Sequence, residues 1–138
     1  MAGEKFTVET TVQAPINVVW TCFTDPEHIM RWNHASEDWH CPRATNDAKT
    51  GGTFSYRMEA RDGSIGFDLV GTYDEVVPDE RIAYTMGDGR KVVVVFVPEG
   101  SGVHVVETAE AEGENPVEMQ RTGWQSILNN FKTEAESH

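Results

Sequence analysis

Positive charge is scarce in this chain: 11 Lys and Arg residues face 23 Asp and Glu, a formal net charge of −12. Nucleic acids and anionic membranes need a basic surface, so neither is an expected partner. Solubility accounts for the acidity better than a docking surface, because no segment concentrates it. Cysteine is scarce as well. Cys22 and Cys41 show neither C-x-x-C nor metal-type spacing and read as reduced packing residues. No apolar run approaches the ~20 residues of a membrane span. The stretch from Met1 to Phe6 lacks the apolar core of a signal peptide, which predicts a cytoplasmic location. Phosphate-cradling loops are missing too: Gly51-Gly52 and Gly87-Asp88-Gly89 are turns with no helix behind them. Ser55, Ser64 and Ser126 lack an elbow-like glycine context, so no nucleophile triad is suggested.

What is present suits one globular domain over residues 1–138, with 38% hydrophobic and 25% charged residues. Asn115 to Glu134 is the one segment long and periodic enough for a major helix. Asn115 offers an N-cap, Pro116 suits the first position, and Glu118 sits where a capping-box acid reaches back. Val117, Gln120, Trp124, Ile127, Leu128 and Phe131 recur at three- and four-residue steps and form an apolar stripe. Glu118, Gln125, Asn129 and Lys132 fall on the opposite face. Such a helix is a rod of roughly 30 Å.

Most of the remainder alternates with period two. Phe6, Val8, Thr10 and Val12 share one face of a first strand, which Ala14-Pro15 ends. Two short helices follow, one from Pro15 to Phe23 and one from Asp25 to Trp32 with Asp25 as N-cap. A short strand near Trp39–Ala44, bent or edged by Pro42, comes next. Phe54, Tyr56 and Met58 line up on a third element, and Arg61-Asp62-Gly63-Ser64 signals a hairpin turn. Phe67, Leu69, Gly71 and Tyr73 form the next inward row. Gly71 there implies a bend, or room for something bulky. Strands over residues 81–86, 90–97 and 103–111 complete the series. The expected fold is α+β: a curved antiparallel sheet of about seven strands around the long helix.

Several strings in this order resemble the helix-grip superfamily of START-like (SRPBCC) lipid-binding domains, plant pathogenesis-related proteins and polyketide cyclases. They are Ala14-Pro15 with Val19-Trp20, then Thr24-Asp25-Pro26-Glu27-His28 and Trp32. Asp47 with Gly51-Gly52, the Gly71 strand ending at Val77-Pro78, and Gly123-Trp124 with Leu128 follow. Within the superfamily the chain is similar to the bacterial branch related to the C-terminal domain of the heat-shock-protein-90 ATPase activator. The resemblance implies a cavity between sheet and long helix that accepts apolar or aromatic molecules. It equally allows a cyclase, aromatase or hydrolase, or an interaction module that contacts a chaperone, because fold does not settle activity.

Candidate site residues follow from these faces. Glu107 shares a face with Val103, Val105 and Ala109. If that face points inward, desolvation raises the pKa of its carboxyl and suits it to acid–base catalysis; otherwise it reaches water or pairs with an arginine. Gln120, Tyr56 or Arg57 would then orient a substrate. Trp32, Trp39, Phe54, Tyr56, Met58, Phe67, Leu69, Tyr73 and Trp124 are the bulky inward candidates, as core or as the wall of a ligand pocket. Gln120 adds a polar atom to that interior. On the helix stripe, Gln120, Gly123 and Trp124 are expected to meet a ligand, whereas Ile127, Leu128 and Phe131 close one end as packing. His34, Asp38 and His40 are close in sequence, yet their loose spacing favours hydrogen-bonded histidines over a metal site. No metal or cofactor is expected. His28 and His104 read as surface residues. Sheet edges able to pair would allow a homodimer.

Overall fold

The computed structural model describes residues 4–138. The first strand, β1 (Lys5–Val12), leads into α1 (Ile16–Thr24) and α2 (Pro26–Trp32). Six strands follow: β2 (Trp39–Asn46), β3 (Thr53–Ala60), β4 (Gly66–Val77), β5 (Arg81–Met86), β6 (Lys91–Glu99) and β7 (Gly102–Glu110). The chain ends in α3 (Val117–Glu136). All seven strands form one antiparallel sheet in the order β1-β7-β6-β5-β4-β3-β2. From β2 to β7 consecutive strands are joined by short turns, and the last strand pairs with the first. This is the expected α+β helix-grip arrangement.

Period-two alternation decides which face is inside. Phe6, Val8 and Val12 on β1, Val92, Val94 and Phe96 on β6, and Val103, Val105 and Ala109 on β7 are buried. The C-terminal half of α3 fills the concave face, where Phe131 and Ala135 are fully occluded and Leu128 nearly so. On β4 the inward row of Leu69, Gly71 and Tyr73 breaks at a register shift between Tyr73 and Glu75. Beyond that bulge Val76 turns inward instead.

The polar side of α3 is not simply solvated. β1 is an edge strand, and its free backbone groups would invite pairing with another chain. Side chains of α3 occupy them. The Gln125 amide accepts from Glu9 N–H (3.4 Å) and donates to the Glu9 carbonyl (3.1 Å). Gln13 N–H donates to Glu136 (2.7 Å), and the Lys132 ammonium donates to the Thr11 carbonyl. A second anchor lies across the helix. Glu134 accepts from His28 Nδ1 (2.8 Å) and Arg31 Nη1 (3.1 Å) of α2, and from His138 Nε2 (2.9 Å). Burial raises the Glu134 carboxyl, but the hydrogen bonds from His138, His28 and Arg31 outweigh it and bring the pKa to about 2. His28 is therefore a helix-to-helix tie, not the surface residue expected of it.

The start of α3 also differs from expectation. Pro116 holds the N-cap position without a side-chain cap, and the Asn115 amide donates to Glu112 instead (3.1 Å). Glu118 pairs with Arg121 (3.0 Å) and does not reach back. Gly71 does make room for something bulky, and the occupant is Phe54. A Cβ at Gly71 would stand 2.4 Å from the Phe54 ring and 3.0 Å from the Thr85 carbonyl oxygen. That ring is already packed against Tyr56, Tyr73 and Tyr84. Gly71→Ala should therefore destabilise the protein by about 1–3 kcal/mol, the usual cost of overpacking. Urea unfolding measures this, and an unchanged midpoint would contradict the packing described.

Candidate functional site

The middle of α3 and the concave face of the sheet enclose a cavity of about 380 Å³. Each wall comes from a different element. α1 and α2 give Phe23 and Trp32, and the segment after α2 gives Asn33 and Ala35. β2 to β5 give Trp39, Phe54, Tyr56, Met58, Phe67, Leu69, Tyr73, Tyr84 and Met86. Arg90 enters from the β5–β6 turn, Glu107 from β7, and Trp124, Ile127 and Leu128 from α3. Phe67 is 49% exposed and meets Trp39 at 6.0 Å with the rings tilted by 59°, which places this pair at the rim. The interior is aromatic, with Phe54 parallel to Tyr56 at 4.8 Å and edge-on to Tyr84 at 5.1 Å.

Each residue in the wall has a local reason to be there. Trp32 is fixed because its indole N–H donates to the Cys22 carbonyl (2.8 Å), so its ring cannot turn out. Trp124 lies edge-on to Phe6 at 5.5 Å. The Tyr73 hydroxyl donates to Asn46 Oδ1, and the Asn46 amide donates to the Thr24 carbonyl (2.7 Å). The Tyr56 phenol lies beside that of Tyr73 and extends this polar chain into the cavity wall. Burial pushes the Tyr56, Tyr73 and Tyr84 phenols up, so they remain neutral hydroxyls.

Glu107 is the exceptional group. It pairs in register with Val8 on β1 and Val94 on β6, both essentially inaccessible, and its side chain projects from the inner face. It is 8% exposed. Neither carboxyl oxygen has a hydrogen-bond partner among the described residues, and neither is sealed from the cavity. Burial raises its pKa to about 7. Its charge in turn adds to the burial that raises Tyr84, so the two side chains are neighbours. Asn33, 6% exposed, is the other buried polar residue among the described residues, and it lines the same space.

Three expectations for the site are corrected. Gln120 does not enter the cavity. Its amide oxygen accepts from Glu112 N–H (2.9 Å), and its nitrogen donates to the Glu112 and Asn115 carbonyls (3.1 and 2.8 Å). It closes the loop before α3, whose backbone would otherwise lack partners. Ile127 and Leu128, expected as end packing, line the cavity together with Trp124. Arg57 lies on the outer face, bonded to Glu59 (2.7 Å) and Asp68 (3.5 Å). Phe23, Asn33, Tyr84, Met86 and Arg90 escaped the sequence reading. Tyr84 and Met86 carried a usable signal, since they alternate with Ile82 on a short strand; Asn33 and Arg90 sit in turns, where periodicity is silent.

The histidines are arranged differently from the spacing that drew attention to them. His40 lies 3.8 Å from Glu59, and the His34 carbonyl accepts from Asn130 (2.8 Å). Among the described residues, the potential ligand atoms that lie within 4.8 Å of one another belong to Cys22, His28 and His138. Glu134 already bonds both of those histidines. The Cys22 thiol is pushed up to about 11 by burial and next by the Glu134 carboxylate, so it stays protonated.

Residues 13–136 match the family model described as Activator of Hsp90 ATPase homolog 1-like protein. The structure of the AHSA1-like protein from Aeromonas hydrophila is 42% identical in sequence with a TM-score of 0.91, covering 97% of this chain and 93% of that one. A protein from Cytophaga hutchinsonii is 50% identical with a TM-score of 0.84, covering 98% of this chain and 94% of its own. One from Chromobacterium violaceum, 24% identical, shares the fold with a TM-score of 0.86 over 96% of each chain. No curated protein matches the chain.

The buried carboxyl makes stability depend on pH. Because burial raises the folded pKa from 4.5 to about 7, the folded state keeps a proton that the unfolded chain has released. Stability is thus highest below the unfolded value and is lost as pH rises through about 7. Glu107→Gln removes that loss. The variant should gain up to about 3 kcal/mol over the parent near pH 8, and little near pH 5. Urea unfolding at both pH values measures the difference, and a difference that does not change with pH would refute a desolvated carboxyl.

Proposed function

The chain belongs to the Activator of Hsp90 ATPase homolog 1-like family, and from that footing we propose that it binds a small apolar or aromatic molecule between the sheet and α3. The observation that carries this reading is the cavity itself. About 380 Å³ of space walled by Trp32, Phe54, Met58, Leu69, Tyr84 and Trp124 falls in the size range of small-molecule sites, which are apolar with few polar groups. A packed core would have filled that volume, because interiors tolerate few voids larger than a water molecule. Entry is at the rim formed by Trp39 and Phe67, and the ligand lies against Trp124 and Ile127 of α3.

A second reading has one observation in its favour. A carboxyl with a pKa of about 7 suits general acid–base work of the cyclase, aromatase or hydrolase kind. Of the three groups expected to orient a substrate, Tyr56 alone lies in the cavity wall. That reading requires a turnover that Glu107→Gln abolishes while the protein stays folded.

Binding is tested by titrating the protein with a naphthalene-sized apolar dye and following tryptophan fluorescence. Saturable binding is expected. Ile127→Trp sends an indole into the space and should weaken it on the order of tenfold, the equivalent of an overpacking cost of ~1.4 kcal/mol. No saturable binding, or binding indifferent to Ile127→Trp, would overturn the assignment.

A further inference from the structure

We propose that the cavity selects hydrophobic amines: an aromatic or apolar body against the tryptophan and tyrosine rings, with its ammonium group paired to the Glu107 carboxylate. The inference rests on the small-molecule reading above and adds the chemical class of the ligand.

Four observations lead to it. First, Glu107 is a carboxyl more than nine-tenths buried, open to the cavity, with no hydrogen-bond partner among the described residues. A buried carboxylate without a counterion is costly, and a bound cation removes that cost. Second, no wall residue supplies that counterion. Arg90 lines the cavity, but its Nε donates to Asp88 (2.8 Å), and burial alone accounts for the state of Glu107. The flanking strands β1 and β6 offer Val8 and Val94, and α3 offers Trp124, Ile127 and Leu128. The segment from α1 to the start of β2 gives the cavity Phe23, Trp32, Asn33, Ala35 and Trp39, none of them charged. The titratable groups that share the space from β3, β4 and β5 are Tyr56, Tyr73 and Tyr84, all held as neutral phenols by burial. Third, the faces of those phenols and of the indoles are themselves attractive to a cation. Fourth, the net charge of −12 draws cations toward the protein and repels organic anions.

The amine also fits the weak intrinsic acidity of the site. When a ligand ammonium enters, the carboxyl gives up its proton and forms a charge-assisted pair, so capture of an amine strengthens as pH rises through neutrality. Capture of a neutral molecule of the same shape has the opposite dependence, because it leaves an ionised carboxylate with no partner.

Matched probes separate the possibilities: naphthylmethylamine, naphthylmethanol and naphthoate, titrated by calorimetry near pH 8. The amine should bind the parent protein about tenfold or more tightly than the alcohol, as a charge-assisted pair provides, and naphthoate weakest. Glu107→Gln should weaken the amine and bring amine and alcohol level. Should that variant fail to fold, the amine-to-alcohol ratio of the parent protein must still rise from about pH 5.5 to about pH 8. An alcohol that binds as well as the amine, or a preference that survives Glu107→Gln or ignores pH, overturns the amine class but leaves the cavity reading standing. Failure of all three probes overturns both.

Discussion

The structure depends on how one helix is gripped. The C-terminal half of α3 is driven into the concave face of the sheet, with Phe131 and Ala135 fully occluded and Leu128 nearly so. Burying side chains of this size removes apolar surface from water at about 25 cal/mol per Å², the largest favourable contribution open to a chain of this length. Polar ties then set the helix's height and rotation. Gln125, Lys132 and Glu136 bond the free edge of β1, and Glu134 gathers His28 and Arg31 from α2. The hydrogen bonds of Gln120 hold the entry loop in place, and the middle of α3, at Trp124, Ile127 and Leu128, roofs the space above the sheet.

That division of labour explains the composition of the cavity. Its floor is the inward row of β3, β4 and β5, where aromatic side chains and Met58 stand close together. Gly71 lets Phe54 lie flat over the sheet and stack on Tyr56. Its roof is the middle of the same stripe that packs the core further along. Glu107 stands on the one strand whose inward row is otherwise Val103, Val105 and Ala109, and it interrupts an apolar face at the point where packing gives way to open space. A carboxyl placed there weakens the fold above neutrality, and under the proposed reading it gives an otherwise apolar pocket a preference for cations.

Much of the fold was legible because it is written in periodicity. Seven alternating segments, two short helices opening on Pro15 and Asp25-Pro26, and one long helix fix the element order, and short connections imply an antiparallel sheet. That Glu107 shares a face with Val103, Val105 and Ala109 was legible for the same reason, but not whether that face points inward or reaches water. What escaped lies at longer range. Gln120 sits on the apolar stripe by count, yet its amide is captured by the loop from Glu112 to Asn115. Asn115 and Glu118 match a capping pattern, but Glu112 and Arg121 compete successfully for them. Ile127 and Leu128 look like core in any helical projection. That they face a void depends on the height of the helix above the sheet, which no local pattern encodes. Asn33 and Arg90 lie where the chain turns, and Glu134 finds His28 and Arg31 more than a hundred residues away.

The most direct test of the account is to locate a bound amine. Intermolecular nuclear Overhauser effects between naphthylmethylamine and methyl-labelled protein would do so. The account predicts contacts to the methyl groups of Met58, Leu69, Met86, Ile127 and Leu128, which surround the cavity. Contacts confined to Val70 and Val97, exposed at 42% and 46%, or no contacts at all, would contradict it.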